Sequence, residues 1–501
     1  MNRVSPYRII DNWLFPILLI ATLAPLYFVR HIIGMDVQTH LYNAHIIHDI
    51  LSGDDWVKGV YELQSFPVPN WTGHAILTFL IHFIGPFWAA KLHLILLLSC
   101  LAISFRALAH RLNPEFPFLG SLLGLCLVWS WFTLLGFFNF LWGGVFTFWL
   151  MRKWIDWGES GFKLFLGTLL FAALIYFSHP TWLLVASLAG GIWWLIRILR
   201  ERMYVIGFLL WIAGLLPSWW MLFQFLQRQG AAFTEQSKMS VQELFRMIYD
   251  VFPLVVFHGG KEGPWLRLIV IGLLLAAVSY FLFRQAKQLE RRNFFWWNGL
   301  LSFFFLLSYF VFPDVTSTGS FVSSRLLFLF FVFFFLLLSS AVRRSIWANV
   351  GSVVVLVAHF AMVTFYTSSY RNYSAEIETT AQWGERIESG STAVLVNNDI
   401  WFKDNINKAL GHRSNVILLD NFEAWTGYFP VVWTAPFNER ASVGKGEWLA
   451  KSNSSDEQLK AQYVLQTGLS KEHEHWQMNY HLIAREGELS LFKRSAESIW
   501  N

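Results

Sequence analysis

The sequence predicts an α-helical polytopic membrane protein with about eleven transmembrane helices and a C-terminal extracytoplasmic α/β domain. Three observations carry this. Of 501 residues, 55% are hydrophobic and only 14% charged, whereas a soluble domain carries about 25% charged residues. Apolar runs long enough to cross a bilayer, about 20 residues as a helix, recur through the first 370 residues. Acids are split unevenly: 16 of the 33 Asp and Glu fall in residues 1–370 and the other 17 in 371–501, which marks the main domain boundary.

The composition excludes a disordered chain, a disulfide-stapled secreted domain and an ordinary soluble enzyme. The net charge of +5 gives no sign of nucleic-acid binding, because most Lys and Arg sit at helix ends. Cys100 and Cys126 lie inside apolar runs and read as small core residues.

The expected spans are 12–32, 87–110, 116–134, 136–151, 162–178, 180–197, 204–227, 264–284, 294–312, 324–342 and 345–367. Two pairs run together, at Gly136 and at His179-Pro180, as tight helical hairpins. The run 74–84 is too short to cross and reads as an interfacial or re-entrant helix. With the N-terminus in the cytoplasm, 16 Lys and Arg fall on short cytoplasmic segments and nine on the longer outer loops before residue 370. This is the positive-inside bias, and the odd number of spans puts residues 371–501 outside. The first span reads as an uncleaved anchor. Trp residues near span ends read as an aromatic belt. No Asp or Glu lies near the middle of a span, so the buried charges of an ion pump or proton relay are missing.

The C-terminal domain alternates short β-like runs with polar segments: 393–396, 416–419, 463–465, then 480–485 and 489–493 turned at Glu486-Gly487-Glu488. His473-Glu474-His475 has no third ligand at a recognisable spacing and reads as a solvated polar loop.

The outer loops are 33–86, 228–263 and 313–323. The first opens Gly34-Met35-Asp36, directly after the first span. If 36–51 is helical, Asp36, His40 and Asn43 share a face at i, i+4 and i+7. That helix ends at the turn Ser52-Gly53-Asp54-Asp55-Trp56. A carboxylate at the water–lipid boundary is partly desolvated yet reaches an aqueous substrate, which suits a general base.

These pieces resemble the GT-C glycosyltransferases, nearest the bacterial type that includes 4-amino-arabinose and protein mannosyl transferases. The residues that carry the resemblance are Asp36, Gly53-Asp54-Asp55-Trp56 and the proline-led segment Pro67–Gly85. Multiple spans and a terminal outer α/β domain extend it over nearly the whole chain. Many members have an acidic pair after span one; here Val37 follows Asp36, which leaves Asp54 or Asp55 to supply any second carboxylate.

The resemblance implies inverting transfer of a sugar from a polyprenyl-phosphate carrier to a hydroxyl of a glycan, lipid or protein acceptor, outside the cytoplasmic (inner) membrane. Asp36 would take the acceptor's proton, with His40, Asp54 and Asp55 in the substrate site. Arg325 would meet the lipid phosphate, since its planar fork suits phosphate oxygens. Lys58, Arg246, Lys261 and Arg267 are weaker cations for that task. Cofactor need is open: some members use a divalent metal, for which Asp36 and His40 are the candidates.

Each residue also has a plainer reading. Asp36 is placed to cap its helix. His40 could be a core histidine, Asp54 and Asp55 turn residues, and Arg325 an interfacial anchor. His179 and His258-Gly259-Gly260 read as outer interfacial groups that could line the site. Two other functions fit the architecture: a non-catalytic lipid-linked glycan binding or assembly protein, motivated by the missing second acid, and a transporter. The transporter reading lacks polar spans and inverted repeats.

Overall fold

The computed structural model describes residues 6–157, 161–201, 205–228, 237–257, 263–265, 267, 270, 273, 292–315, 320–342, 346–397, 405–412, 415–435, 461–468 and 480–495. The chain divides into two compact units. The first comprises Met1–Pro25, Ile95–Thr133 and Phe138–Thr367; the second comprises Leu26–Leu94, Leu134–Phe137 and Ser368–Asn501.

The helices, in chain order, are α1 (Pro6–Thr22), α2 (Ala24–Tyr27), α3 (Val37–Ser52), α4 (Asp55–Val60), α5 (Trp71–Leu112), α6 (Pro117–Cys126), α7 (Trp131–Leu135), α8 (Phe138–Trp157), α9 (Gly161–Ser178), α10 (Pro180–Glu201), α11 (Val205–Arg228), α12 (Val241–Tyr249), α13 (Arg292–Val311), α14 (Val322–Ala341), α15 (Ile346–Trp383) and α16 (Phe422–Thr426). Among the described residues, eight helical stretches are long and apolar enough to cross a membrane, one of them, Pro117–Leu135, divided into α6 and α7. This is a multi-pass membrane protein. Of the other three expected spans, 12–32 is broken at Leu23, just before Pro25, into α1 and the single turn α2. A proline lacks the N–H that would continue the ladder. The run 136–151 is covered by α8, which ends in Arg152, Lys153 and Asp156. Most of 264–284 lies outside the described residues.

In the first unit, large apolar side chains such as Phe162, Leu170, Ile206 and Phe303 are exposed on their helices. A helix that is apolar all round and still uncovered suits lipid. Small residues bring helices together, as in membrane bundles generally. A Cβ on Gly143 would stand 2.6 Å from Trp182, and one on Gly190 would stand 2.5 Å from Trp211. At the start of α1, buried Asp11 pairs with Arg106 at 2.7 Å and His110 at 3.0 Å. The join expected at His179-Pro180 is present, with His179 alone separating α9 from α10.

The second unit is built on a five-stranded sheet of order β3-β2-β5-β7-β6. Its strands are β2 (Thr392–Asn397), β3 (Ile417–Leu418), β5 (Tyr463–Thr467), β6 (Tyr480–Glu486) and β7 (Leu489–Arg494). β2 runs parallel to β3 and β5, while β7 runs antiparallel to β5 and β6. All five β-like runs of the sequence are strands, and Gly487 (φ +58°) makes the expected turn between the last two. A two-stranded ribbon is additional: β1 (Tyr61–Leu63), directly after α4, pairs antiparallel with β4 (Val431–Trp433). Gly85 (φ +72°) interrupts α5, so the short run before it is a separate helix ahead of Pro86.

The segment 134–137 also belongs to this unit and holds the start of α3. Met35 N donates to Leu134 O and Asp36 N to Leu135 O, both at 3.0 Å. Gly136 has φ +78°, and a Cβ there would stand 2.8 Å from Val37 N and 3.2 Å from the Asp36 carbonyl carbon. Gly136→Ala is therefore expected to lower stability by about 1–3 kcal/mol through backbone strain and overpacking. Thermal melting of the purified protein in detergent measures it, and a melting temperature equal to that of the wild type contradicts this placement.

Candidate active site and metal-type cluster

The site is built on α3. Its chain entry is set by Gly34 (φ +151°), where a Cβ would stand 2.7 Å from Leu134 O. Its exit is Gly53 in the left-handed conformation (φ +93°), which closes the helix as the sequence predicts. Residues Val37–Ala44 are buried without a break.

The face expected from the i, i+4, i+7 spacing forms, and it faces residues of the C-terminal segment. Asp36 is 6% exposed. It stands at the N-cap of α3 yet makes no side-chain cap hydrogen bond. Its Oδ1 accepts instead from Asn405 Nδ2 at 3.2 Å. His40 Nδ1 lies 2.5 Å from Glu423 Oε1. Asn43 Nδ2 donates to Glu423 Oε2 at 2.8 Å, and Asn43 and Asn421 exchange amide hydrogen bonds at 3.1 and 2.8 Å. The adjacent Tyr42 donates to Val416 O at 2.7 Å.

Glu423 is fully buried and is reached from a second helix as well. His74, near the start of α5, brings Nε2 to 2.9 Å from Glu423 Oε2 while its Nδ1 stands 3.0 Å from Asn70 O. Burial pushes the Glu423 carboxyl up. The charges on His40 and His74 and their hydrogen bonds outweigh it and hold the carboxyl down at about 2. A buried carboxylate needs such compensation, because an isolated charge costs far too much to desolvate. Among the described residues, His40, His74 and Glu423 are the group of metal-type donors: one donor atom from each lies within 4.8 Å of the others. Of the sequence pair considered for a metal, His40 belongs to this group and Asp36 does not. A small cavity opens beside the Asp36 turn, lined by Gly34 and Gln38 on either side of it and by Tyr373, Glu376 and Ile406.

No protein-family model and no curated protein matches the chain. Solved structures do. ArnT from Cupriavidus metallidurans bound to undecaprenyl phosphate aligns over 97% of this chain and 98% of its own, with a TM-score of 0.50 and 10% identity. The apo state of the same protein gives 0.49 at 11% identity, again over 97% and 98%. An oligosaccharyltransferase from Archaeoglobus fulgidus covers 96% of this chain and 73% of its own, at 0.38 and 10%. The chain has the GT-C fold.

Within that GT-C fold the remaining sequence candidates fall out as follows. Asp54 caps α4: its Oδ1 accepts from Trp56 N at 2.9 Å and Val57 N at 3.1 Å. Asp55 and Lys58 are exposed on α4. Arg325 lies in the first turn of α14, half-buried, with its guanidinium 5.9 Å from the Phe140 ring centroid. Phe140 also meets His179 edge-on at 5.4 Å. Arg246 and Arg267 each stand 3.5 Å from Asp250. His258-Gly259-Gly260, Lys261 and His473-Glu474-His475 lie outside the described residues.

Sequence reasoning missed His74, Asn405, Asn421 and Glu423. One signal was available for the last two: they follow the C-terminal end of β3, where α/β sheets place functional side chains. Asn43→Ala removes a donor from the buried Glu423 carboxylate and is expected to cost about 1–3 kcal/mol. Asn43→Asp, which sets a second carboxylate there, is expected to cost more. Thermal melting ranks the two, and Asn43→Asp melting at or above Asn43→Ala contradicts the network.

Proposed function

We propose that this protein is an inverting glycosyltransferase. It moves a sugar from a polyprenyl-phosphate carrier to a hydroxyl of a glycan, lipid or protein acceptor on the outer side of the cytoplasmic membrane. The observation that carries this reading is Asp36. It opens the first outer loop of a GT-C fold, is nearly buried, and does not spend its side chain on capping α3. The undecaprenyl phosphate bound by ArnT supports a carrier of that class.

In this reading the acceptor oxygen attacks the anomeric carbon and Asp36 takes the hydroxyl proton. The bond from that carbon to the phosphate oxygen breaks, and the polyprenyl phosphate leaves. Asn405 fixes the carboxylate's direction through Oδ1, as a general base requires. The leaving phosphate gathers charge and needs a cation. The resemblance gives that role to Arg325, whose fork binds phosphate in a way Lys does not reproduce. The N-terminus is assigned to the cytoplasm and residues 371–501 to the exterior, from the distribution of Lys and Arg.

One observation favours a second reading, a non-catalytic binder of lipid-linked glycan. Val37 follows Asp36, and Asp54, one of the two acids considered for the second carboxylate, is already engaged as a cap. The two readings part on one variant. Asp36→Asn is expected to fold, to bind carrier lipid and to lose transfer by about 10²–10⁴-fold, the usual contribution of a general base. A radiolabelled lipid-sugar transfer assay reads it. Full activity in Asp36→Asn rejects the assignment, and carrier binding without turnover in the wild type favours the binder. Arg325→Lys keeps the charge but loses the fork, so it is expected to transfer more slowly than wild type. An unchanged rate removes Arg325 from the site.

A further inference from the structure

Three stretches far apart in the chain bring His40, His74 and Glu423 together, and all three are buried, at 4%, 0% and 0% exposure. The ring of His74 has an acceptor at each nitrogen. Asn70 O is a carbonyl with lone pairs only, so Nδ1 carries the proton and donates to it. In the neutral ring, Nε2 then directs its own lone pair at Glu423 Oε2. On the other carboxylate oxygen, Oε1 stands 2.5 Å from His40 Nδ1. Two imidazoles and a carboxylate thus converge in a space closed to water. A shared cation satisfies all of them at once.

We propose that His40 Nδ1, His74 Nε2 and Glu423 bind a zinc-class divalent cation, which fastens the first outer loop and the start of α5 to the α16 segment. The donor set selects the class. Imidazole nitrogen suits zinc and its transition-metal neighbours, whereas calcium and magnesium take oxygen ligands. The supporting contacts are those of a metal site. His74 Nδ1 donates to a backbone carbonyl, which fixes the tautomer, and Asn43 holds the carboxylate from behind at 2.8 Å. All three donors are buried, so the role proposed for the ion is to fasten these segments, and three protein ligands leave the fourth position of zinc's tetrahedron to another donor. His93, also fully buried, is the next imidazole within electrostatic reach of both ligating histidines. This inference stands independently of the glycosyltransferase reading, because Asp36 takes no part in the cluster.

Elemental analysis of the full-length protein, purified in detergent without chelators and then incubated with zinc, tests it. Near-stoichiometric zinc is expected in the wild type, with X-ray absorption giving Zn–N distances of about 2.0–2.1 Å. Glu423→Gln and His74→Ala are expected to lose at least tenfold in bound zinc, while His48→Ala, a half-buried histidine outside the cluster, keeps it. Chelation of the wild type is expected to speed proteolysis of the C-terminal segment. A wild-type protein that holds no zinc after incubation, or a Glu423→Gln protein that holds as much as wild type, overturns the site. Unchanged proteolysis after the zinc is removed overturns the fastening role. Where a variant fails to fold, the wild-type absorption spectrum decides, because sulfur or all-oxygen coordination contradicts these ligands.

Discussion

A carboxylate with no exposed surface has to be compensated where it stands, and Glu423 sets that demand within the second unit. Two imidazoles and an asparagine amide meet it. Those partners come from α3 and from the start of α5, so the electrostatic requirement of one side chain draws three separate stretches together. The consequence reaches beyond the cluster. His40 and Asn43 can serve Glu423 only if α3 presents one face to the C-terminal segment. That same face carries Asp36, four residues before His40, and turns it toward Asn405.

The start of α3 is fixed independently by backbone. Leu134 and Leu135 accept from Met35 and Asp36, and Gly136 passes too close to Val37 to tolerate a side chain. Asp36 therefore receives its direction from two sides: main-chain hydrogen bonds at its own residue and the C-terminal network one turn on. Side chains placed by packed elements in this way hold geometry better than side chains on free loops. This is why a nearly buried acid, unused as a cap, carries the functional reading more strongly than its position in the sequence alone.

Much of this was legible in the sequence, for identifiable reasons. Helices announce themselves by apolar length, and the joins at Gly136 and His179-Pro180 are punctuated by residues that the helix ladder cannot accommodate easily. The face Asp36–His40–Asn43 follows from helical periodicity, and the five strands of the sheet from short β-branched runs. What the sequence hid was pairing across distance. Glu423 is 383 positions from His40, and no periodicity links them. β1 and β4 have three residues each and also pair between Tyr61–Leu63 and Val431–Trp433, with no periodicity to link them. Asp54 was ambiguous between turn and site because both uses favour an acid before a short helix; its two backbone donors decide for the cap.

The central claim is that Asp36 takes the acceptor's proton in a transfer whose donor is a sugar on a polyprenyl phosphate, with Arg325 meeting that phosphate. An experimental structure of the protein with undecaprenyl phosphate bound tests it most directly. The account predicts density for the phosphate at the Arg325 guanidinium, leaving the Asp36 carboxylate for the acceptor hydroxyl. A carrier lipid whose phosphate is seated at the opposite membrane face, or away from Arg325, contradicts it.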